Sequence, residues 1–313
     1  MTESLLETKY LGGMVGSAIG DSMGQLAFHY QDRDKLKGAL ERLAELRYTD
    51  DTAMAIGLAT SLINKGYIEG KDLGETFRLN FEKEPWRGYA TGPPTIFSLV
   101  SSQGVTYEEA AQMLFGGSGS FGNGAAMRIA PLGLLFHNSQ KIYELACASA
   151  EVTHAHPIGK DGAAVQALAV AQAVRLESTK EFRPEQFVSS LIGCARTSEI
   201  REKFELLKEL LRKDVPPAIA AEQLGQSVAV HESLPFAIYS FLRYPSSYED
   251  CLYCAIMHGG DRDTLGAMAG AMSGAYLGFE AIPHIWRDKL ENRKMIQELA
   301  LKLARQKLET TQA

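Results

Sequence analysis

The chain has 313 residues, 45% hydrophobic and 22% charged, an ordinary globular composition with enough apolar side chain for a large core. Its formal charge of −6 leaves no basic surplus, which argues against nucleic acid or an anionic membrane surface and for a small molecule or a protein as partner. The opening Met-Thr-Glu-Ser-Leu-Leu-Glu lacks the basic and apolar stretches of a signal peptide, and no apolar run approaches the roughly 20 residues of a spanning helix, so a cytoplasmic location is expected.

Alternating runs of Val, Ile and Thr are scarce, so helices joined by glycine-bearing loops are predicted. The first, Tyr10 to Gln25, carries Gly12, Gly13, Gly16 and Gly20; so many small residues suit a helix only if it packs closely against a neighbour. Thr52 to Ile63 is an apolar helix whose start is marked by Thr49, Asp50 and Asp51, residues suited to capping and to the positive end of the dipole. Ala125 to Phe136, Ile142 to Glu151 and Gly162 to Leu176 repeat the pattern of an apolar helix entered from a polar or glycine-bearing loop. From Ile200, the positions Phe204, Leu207 and Leu211 mark a surface helix with one buried stripe, stopped by Pro216-Pro217. Cys251 and Cys254 make a C-x-x-C spacing without a second pair, so two helix-buried thiols are expected there. Ser227 to Leu242 and the Gly/Ala-rich Thr264 to Leu277 complete the set. No βαβ unit, long linker or repeat interrupts it.

Four segments carry chemistry. Tyr48-Thr49-Asp50-Asp51-Thr52 and Gly259-Gly260-Asp261-Arg262-Asp263-Thr264 each place carboxylates and hydroxyls directly before an apolar helix. Such oxygens are hard ligands suited to Mg²⁺, Mn²⁺ or Ca²⁺, and four converging carboxylates would repel one another unless cations neutralised them. Either set alone is explained as well by helix capping; the occurrence of two favours a metal site. The loop Phe115-Gly116-Gly117-Ser118-Gly119-Ser120-Phe121-Gly122-Asn123-Gly124 offers backbone N–H groups free of side-chain bulk to a diphosphate, and Phe115 and Phe121 suit stacking on a flat base; a flexible connector is the alternative. In Thr153-His154-Ala155-His156-Pro157 the i, i+2 histidines argue against a zinc helix, leaving His154 as a ligand-facing donor or a satisfied structural histidine.

Taken together, the chain from about Tyr10 to Gly278 resembles the ADP-ribosylglycohydrolase family. The carriers are Gly20-Asp21, Tyr48 to Thr52, Arg87-Gly88-Tyr89-Ala90-Thr91-Gly92, Gly119 to Gly124, Thr153-His154, Glu232-Ser233-Leu234-Pro235 and Gly259 to Thr264. The Arg-Gly-Tyr stretch, the Ser-Phe-Gly-Asn-Gly loop and Glu-Ser-Leu-Pro resemble most the branch that removes ADP-ribose from serine and degrades poly(ADP-ribose). The resemblance implies a single domain over residues 1–313 with an all-α, compact orthogonal helical bundle, two Mg²⁺ or Mn²⁺ ions, and an ADP-ribose-containing substrate, ADP-ribosylated protein included. It implies Thr49, Asp50, Asp51, Asp261, Asp263 and Thr264 as metal ligands, and Gly119, Ser120, Phe121, Gly122, Asn123 and His154 at the ADP-ribose. Asp51 and Asp261 are the candidates for positioning the attacking water. No direct nucleic-acid or membrane contact is expected, and a monomer is.

One position departs from the family pattern. Members carry a glutamate shortly after the first Gly-Asp; here Phe28 stands in its place, and Gln25 to Tyr30 contain no carboxylate. Glu82 or Glu84 is then a possible stand-in. The alternative to hydrolysis is an ADP-ribose-binding protein that has lost turnover.

Overall fold

The computed structural model describes residues 2–178 and 182–312. The chain enters through α1 (Glu3–Ala27), whose first turn is closed by the Leu5 amide donating to the Thr2 hydroxyl, and α2 (Arg33–Arg42), capped by Asp32. Then come α3 (Asp50–Lys65), α4 (Gly70–Lys83), α5 (Gly92–Gln103) and α6 (Tyr107–Gly117), the last begun by a Thr106/Glu109 capping box. Two short helices, α7 (Gly124–Met127) and α8 (Ala130–Leu135), precede α9 (Ile142–Glu151), α10 (Pro157–Arg175), α11 (Pro184–Cys194), α12 (Ser198–Arg212) and α13 (Pro217–Leu224). The chain continues through α14 (Val230–Arg243), α15 (Tyr248–Ile256), α16 (Arg262–Leu277), α17 (His284–Lys289) and α18 (Arg293–Gln312). Among the described residues the only extended pairings are two isolated bridges, so the fold is all-α as expected.

The architecture hangs on α1 against α16. Glycines recur every four residues on both, and the helices run antiparallel: Gly12 faces Gly274, Gly16 faces Gly270, Gly20 faces Gly266 and Gly24 faces Arg262. A methyl group on Gly12, Gly16, Gly20 or Gly24 would stand 2.1, 2.5, 2.0 or 2.2 Å from a backbone oxygen of α16. The poor helix propensity of this stretch is thus offset by backbone-to-backbone packing. Helices α10, α14 and α15 pack around α16, while α3, α8 and α18 pack on α1. The C-x-x-C thiols lie buried in α15, where burial pushes both upward.

Several boundaries differ from the sequence reading. The predicted helix from Ala125 to Phe136 breaks at Arg128–Ile129, since Pro131 begins a new helix and cannot continue the old one. Pro217 likewise opens α13; the preceding helix already ends at Arg212. Helix α14 starts three residues later than Ser227, because residues 226–229 are drawn into pairing with two other loops.

Gly20→Ala is expected to cost roughly 1–3 kcal/mol in urea unfolding through overpacking, despite a propensity gain of about 1 kcal/mol. Gly38→Ala in α2, whose nearest neighbour to an added methyl is the Arg42 guanidinium at 3.6 Å, should instead stabilise.

Candidate functional site

Three helix N-termini meet at the end of the α1/α16 pair. Asp21, on α1 one residue beyond Gly20, is fully buried and organises the start of α3. Its carboxylate accepts from the Thr49 amide (3.0 Å to each oxygen), the Thr49 hydroxyl (2.8 Å), the Thr52 amide (3.1 Å) and the Thr52 hydroxyl (2.6 Å). Thr49 and Asp261 occupy the N-cap positions of α3 and α16, yet neither side chain caps its helix. The Thr49 hydroxyl points to Asp21 and Asp51, and Asp261 Oδ2 accepts from Asn123 Nδ2 at 2.7 Å. Capping alone therefore does not account for either acidic set.

The carboxylates act on one another. Burial, then repulsion from Asp21, pushes Asp50 up to about 7; burial, then Asp261 and Asp21, pushes Asp263 up to about 8. Asp51 is driven well above the usual carboxylate range by burial and by Asp21, Asp263, Asp50 and Asp261 together. Asp21 itself rises to about 6 through burial, against the pull of its four donors. Asp51 Oδ1 is buried with no hydrogen-bond partner. Among the described residues no three Asp, Glu, His or Cys side chains converge at coordinating distance; Asp263 Oδ1 accepts from the Thr264 amide and Asp261 is held by Asn123. Thr264, also buried, directs its hydroxyl to Met127 Sδ at 3.8 Å.

The glycine loop reaches this cluster through Asn123, whose Nδ2 also donates to Ser233 Oγ at 3.2 Å. The segment Gln226 to Val230 joins the two: the Asn123 amide donates to Val228 O (2.9 Å), the Val230 amide to Phe121 O (3.1 Å), and the Asp261 amide to Gln226 O (2.8 Å). Residues Leu114 to Gly116 leave helical geometry and open the loop. Gly119 has φ +72°, and an added methyl there would lie 2.7 Å from the His156 amide, so only glycine fits. Phe115 and Phe121 are 69% and 45% exposed, apolar faces turned to solvent.

His154 lies buried beneath this loop, with Nε2 3.0 Å from where a Gly124 methyl would be and 3.5 Å from that of Gly122. Burial, reinforced by Arg128, lowers it to about 3, so the ring is neutral. Arg128 Nη2 donates to the Thr153 hydroxyl (2.7 Å), which lies 2.8 Å from His154 Nδ1. The Thr153 hydroxyl also lies 3.5 Å from Ala150 O, so it bridges Arg128, His154 and the end of α9.

The sequence reading missed Arg128, a fully buried guanidinium that also donates to Gly124 O and Ser149 O, and it named Asp21 only as part of a motif. An arginine inside an apolar run, Ala-Ala-Met-Arg-Ile-Ala, was the available signal. Phe28, the C-cap of α1, is 42% exposed and lies seven residues, two turns, beyond Asp21 on nearly the same helix face. Neither proposed stand-in is free: Glu82 pairs with Arg78 and Glu84 with Arg87.

The chain is thus all-helical, with a buried acidic cluster at converging helix N-termini joined to a glycine loop flanked by exposed aromatics. The ADP-ribosylglycohydrolase model matches residues 2–312, and the chain belongs to that family. It is 33% identical to the bovine ADP-ribosylhydrolase ARH3, with 95% of this chain and 93% of that protein covered, and 33% identical to the human ADP-ribosylhydrolase ARH3 over the same shares. It is 29% identical to the ADP-ribosyl-[dinitrogen reductase] glycohydrolase of Rhodospirillum rubrum over 93% of each. A solved structure described as an ADP-ribosylglycohydrolase-related protein complex superposes with a TM-score of 0.74 at 25% identity, covering 97% of this chain and 99% of that one. The family hydrolyses ADP-ribose conjugates, and the chain is an ADP-ribosyl glycohydrolase. Among the described residues no helix is long and apolar enough to cross a membrane.

Because Asp21, Asp50, Asp51 and Asp263 hold protons to higher pH folded than unfolded, protonation favours folding. The ion-free protein should lose stability as pH rises from the ordinary carboxylate value of 3.8 to about 8. Thermal unfolding in EDTA between pH 5 and 8 measures this, and a flat profile would contradict the mutual repulsion described.

Proposed function

We propose that the chain cleaves the glycosidic bond at the distal ribose of ADP-ribose conjugates with two divalent cations, Mg²⁺ or Mn²⁺, held at the acidic cluster. The observation that carries this reading is Asp51: a buried carboxylate oxygen without a donor, surrounded by Asp21, Asp50, Asp261 and Asp263, is costly unless a cation lies against it. Thr49, Asp50, Asp51, Asp261, Asp263 and Thr264 supply only hard oxygen donors and would hold the ions. Such ions, when bound, orient the ribose hydroxyls and lower the pKa of a water.

The remaining chemistry belongs to the chain. The Gly119–Asn123 loop offers the diphosphate the Ser120 and Phe121 amides, those of Gly119, Gly122 and Asn123 being taken by Leu114 O, Ser120 Oγ and Val228 O, while Phe115 and Phe121 stack on the base. His154 supports the loop from below, packed under Gly122 and Gly124. Asp51 and Asp261 orient the water that adds to the anomeric carbon as the bond to the leaving atom breaks; one of the two takes up the water's proton, and the leaving atom gains its proton from solvent. Their charge stabilises the oxocarbenium character of the transition state. Phe28 cannot protonate the leaving group, which is expected to lower the rate by roughly 10² to 10⁴ relative to a chain with a carboxyl there. The substrate is an ADP-ribosylated protein or poly(ADP-ribose), and the chain acts as a monomer in the cytoplasm.

Release of ADP-ribose from serine-linked, arginine-linked and polymeric substrates, with Mg²⁺, Mn²⁺ or EDTA, tests the reading. Metal-dependent release, lost in Asp261→Asn and reduced about 10²-fold in Asp51→Asn, is expected. Release indifferent to EDTA would remove the metals; ADP-ribose binding without release from any linkage would favour the second reading, a binder without turnover, for which Phe28 speaks. Phe28→Glu is expected to raise kcat.

A further inference from the structure

The segment that carries the first metal-ligand set is clamped from the far end of the chain. Tyr48, immediately before Thr49, is gripped at three points. Its carbonyl accepts from Arg87 Nη1 at 3.0 Å, its ring lies under the Arg87 guanidinium at 4.1 Å, and its hydroxyl accepts from Asn292 Nδ2 at 2.9 Å. Arg87 is only 5% exposed. It is fixed in turn by a two-point pair with Glu291, Nη1 to Oε2 at 2.6 Å and Nη2 to Oε1 at 2.9 Å, and by Glu84 at 3.1 and 3.2 Å. The same C-terminal segment pairs with the chain just upstream: the Leu46 amide donates to Lys289 O (2.7 Å) and the Glu291 amide to Leu46 O (2.9 Å).

A planar guanidinium held by two carboxylates and stacked on a ring has one orientation, and lysine cannot reproduce it. Arg87 therefore transmits the position of Glu291 to the Tyr48 carbonyl. The next backbone group, the Thr49 amide, begins the set of bonds to Asp21. We propose that Glu291, acting through Arg87, is a positioning residue for the Thr49-Asp50-Asp51 ligand set, so that the segment between α17 and α18 sets the site's affinity for divalent cations. This rests on the metal reading of the site for its consequence, though not for the clamp itself.

The test compares the full chain with Glu291→Gln, Arg87→Lys and, as a control far from the site, Arg243→Gln. Calorimetric titration with Mn²⁺ alone is expected to show affinity at least 10-fold weaker in the first two, the cost typical of losing a residue that orients a metal ligand, and unchanged in the control. Amide exchange of the ion-free proteins is expected to be faster across residues 46–54 in the two variants, with the α10 core unaltered. Lower melting temperature with unchanged Mn²⁺ affinity and unchanged exchange at 46–54 would overturn the proposal and leave Glu291 a merely stabilising residue. A wild-type chain that binds no Mn²⁺ would overturn the metal reading instead, and the exchange measurement still decides the clamp.

Discussion

Backbone contact between α1 and α16 is the constraint on which the rest depends. Two helices can approach until one's carbonyls fill the space a side chain would take only if that side chain is absent at every fourth position, as at Gly12, Gly16, Gly20 and Gly24 on α1 and Gly266, Gly270 and Gly274 on α16. The consequence is positional. Asp21 follows Gly20 directly, and Asp263 lies where Gly24 meets α16, so the tight packing carries a buried carboxylate of one helix against the N-terminus of the other.

The cluster so formed is held together by groups that do not carry its charge. Asp21 fastens the start of α3 by four donors, Asn123 holds Asp261, and the Gln226–Val230 segment joins the glycine loop to the Asp261 loop through backbone bonds alone. The acids are thereby kept together against their repulsion, which raises their protonation.

Beneath the glycine loop the logic is reversed. Burial holds His154 neutral and Arg128 is fully enclosed; the guanidinium donates to Thr153, which lies against His154 below the loop, while Arg128 Nε has no hydrogen-bond partner among the described residues. Arg128 donates to Gly124 O, and Asp50 is close enough to act on it against its burial.

Much of this was legible in the sequence because it is local. The helical class, the close packing demanded by the α1 glycines, the two acidic N-termini and the glycine loop each follow from residues adjacent along the chain, where propensity, capping and backbone freedom act. Helix breaks at Pro131 and Pro217 were misplaced because proline is as well suited to the first turn of a new helix as to the end of an old one. What the sequence could not contain was partnership between distant segments. That Asp21 would hold Thr49 and Thr52, that Arg128 would stand under residues 149–154, and that the arginine beside Glu84 would also pair with Glu291, all depend on side chains brought together across 21 to 204 positions. A carboxylate's surroundings decide its charge and its role, and only tertiary packing supplies those surroundings.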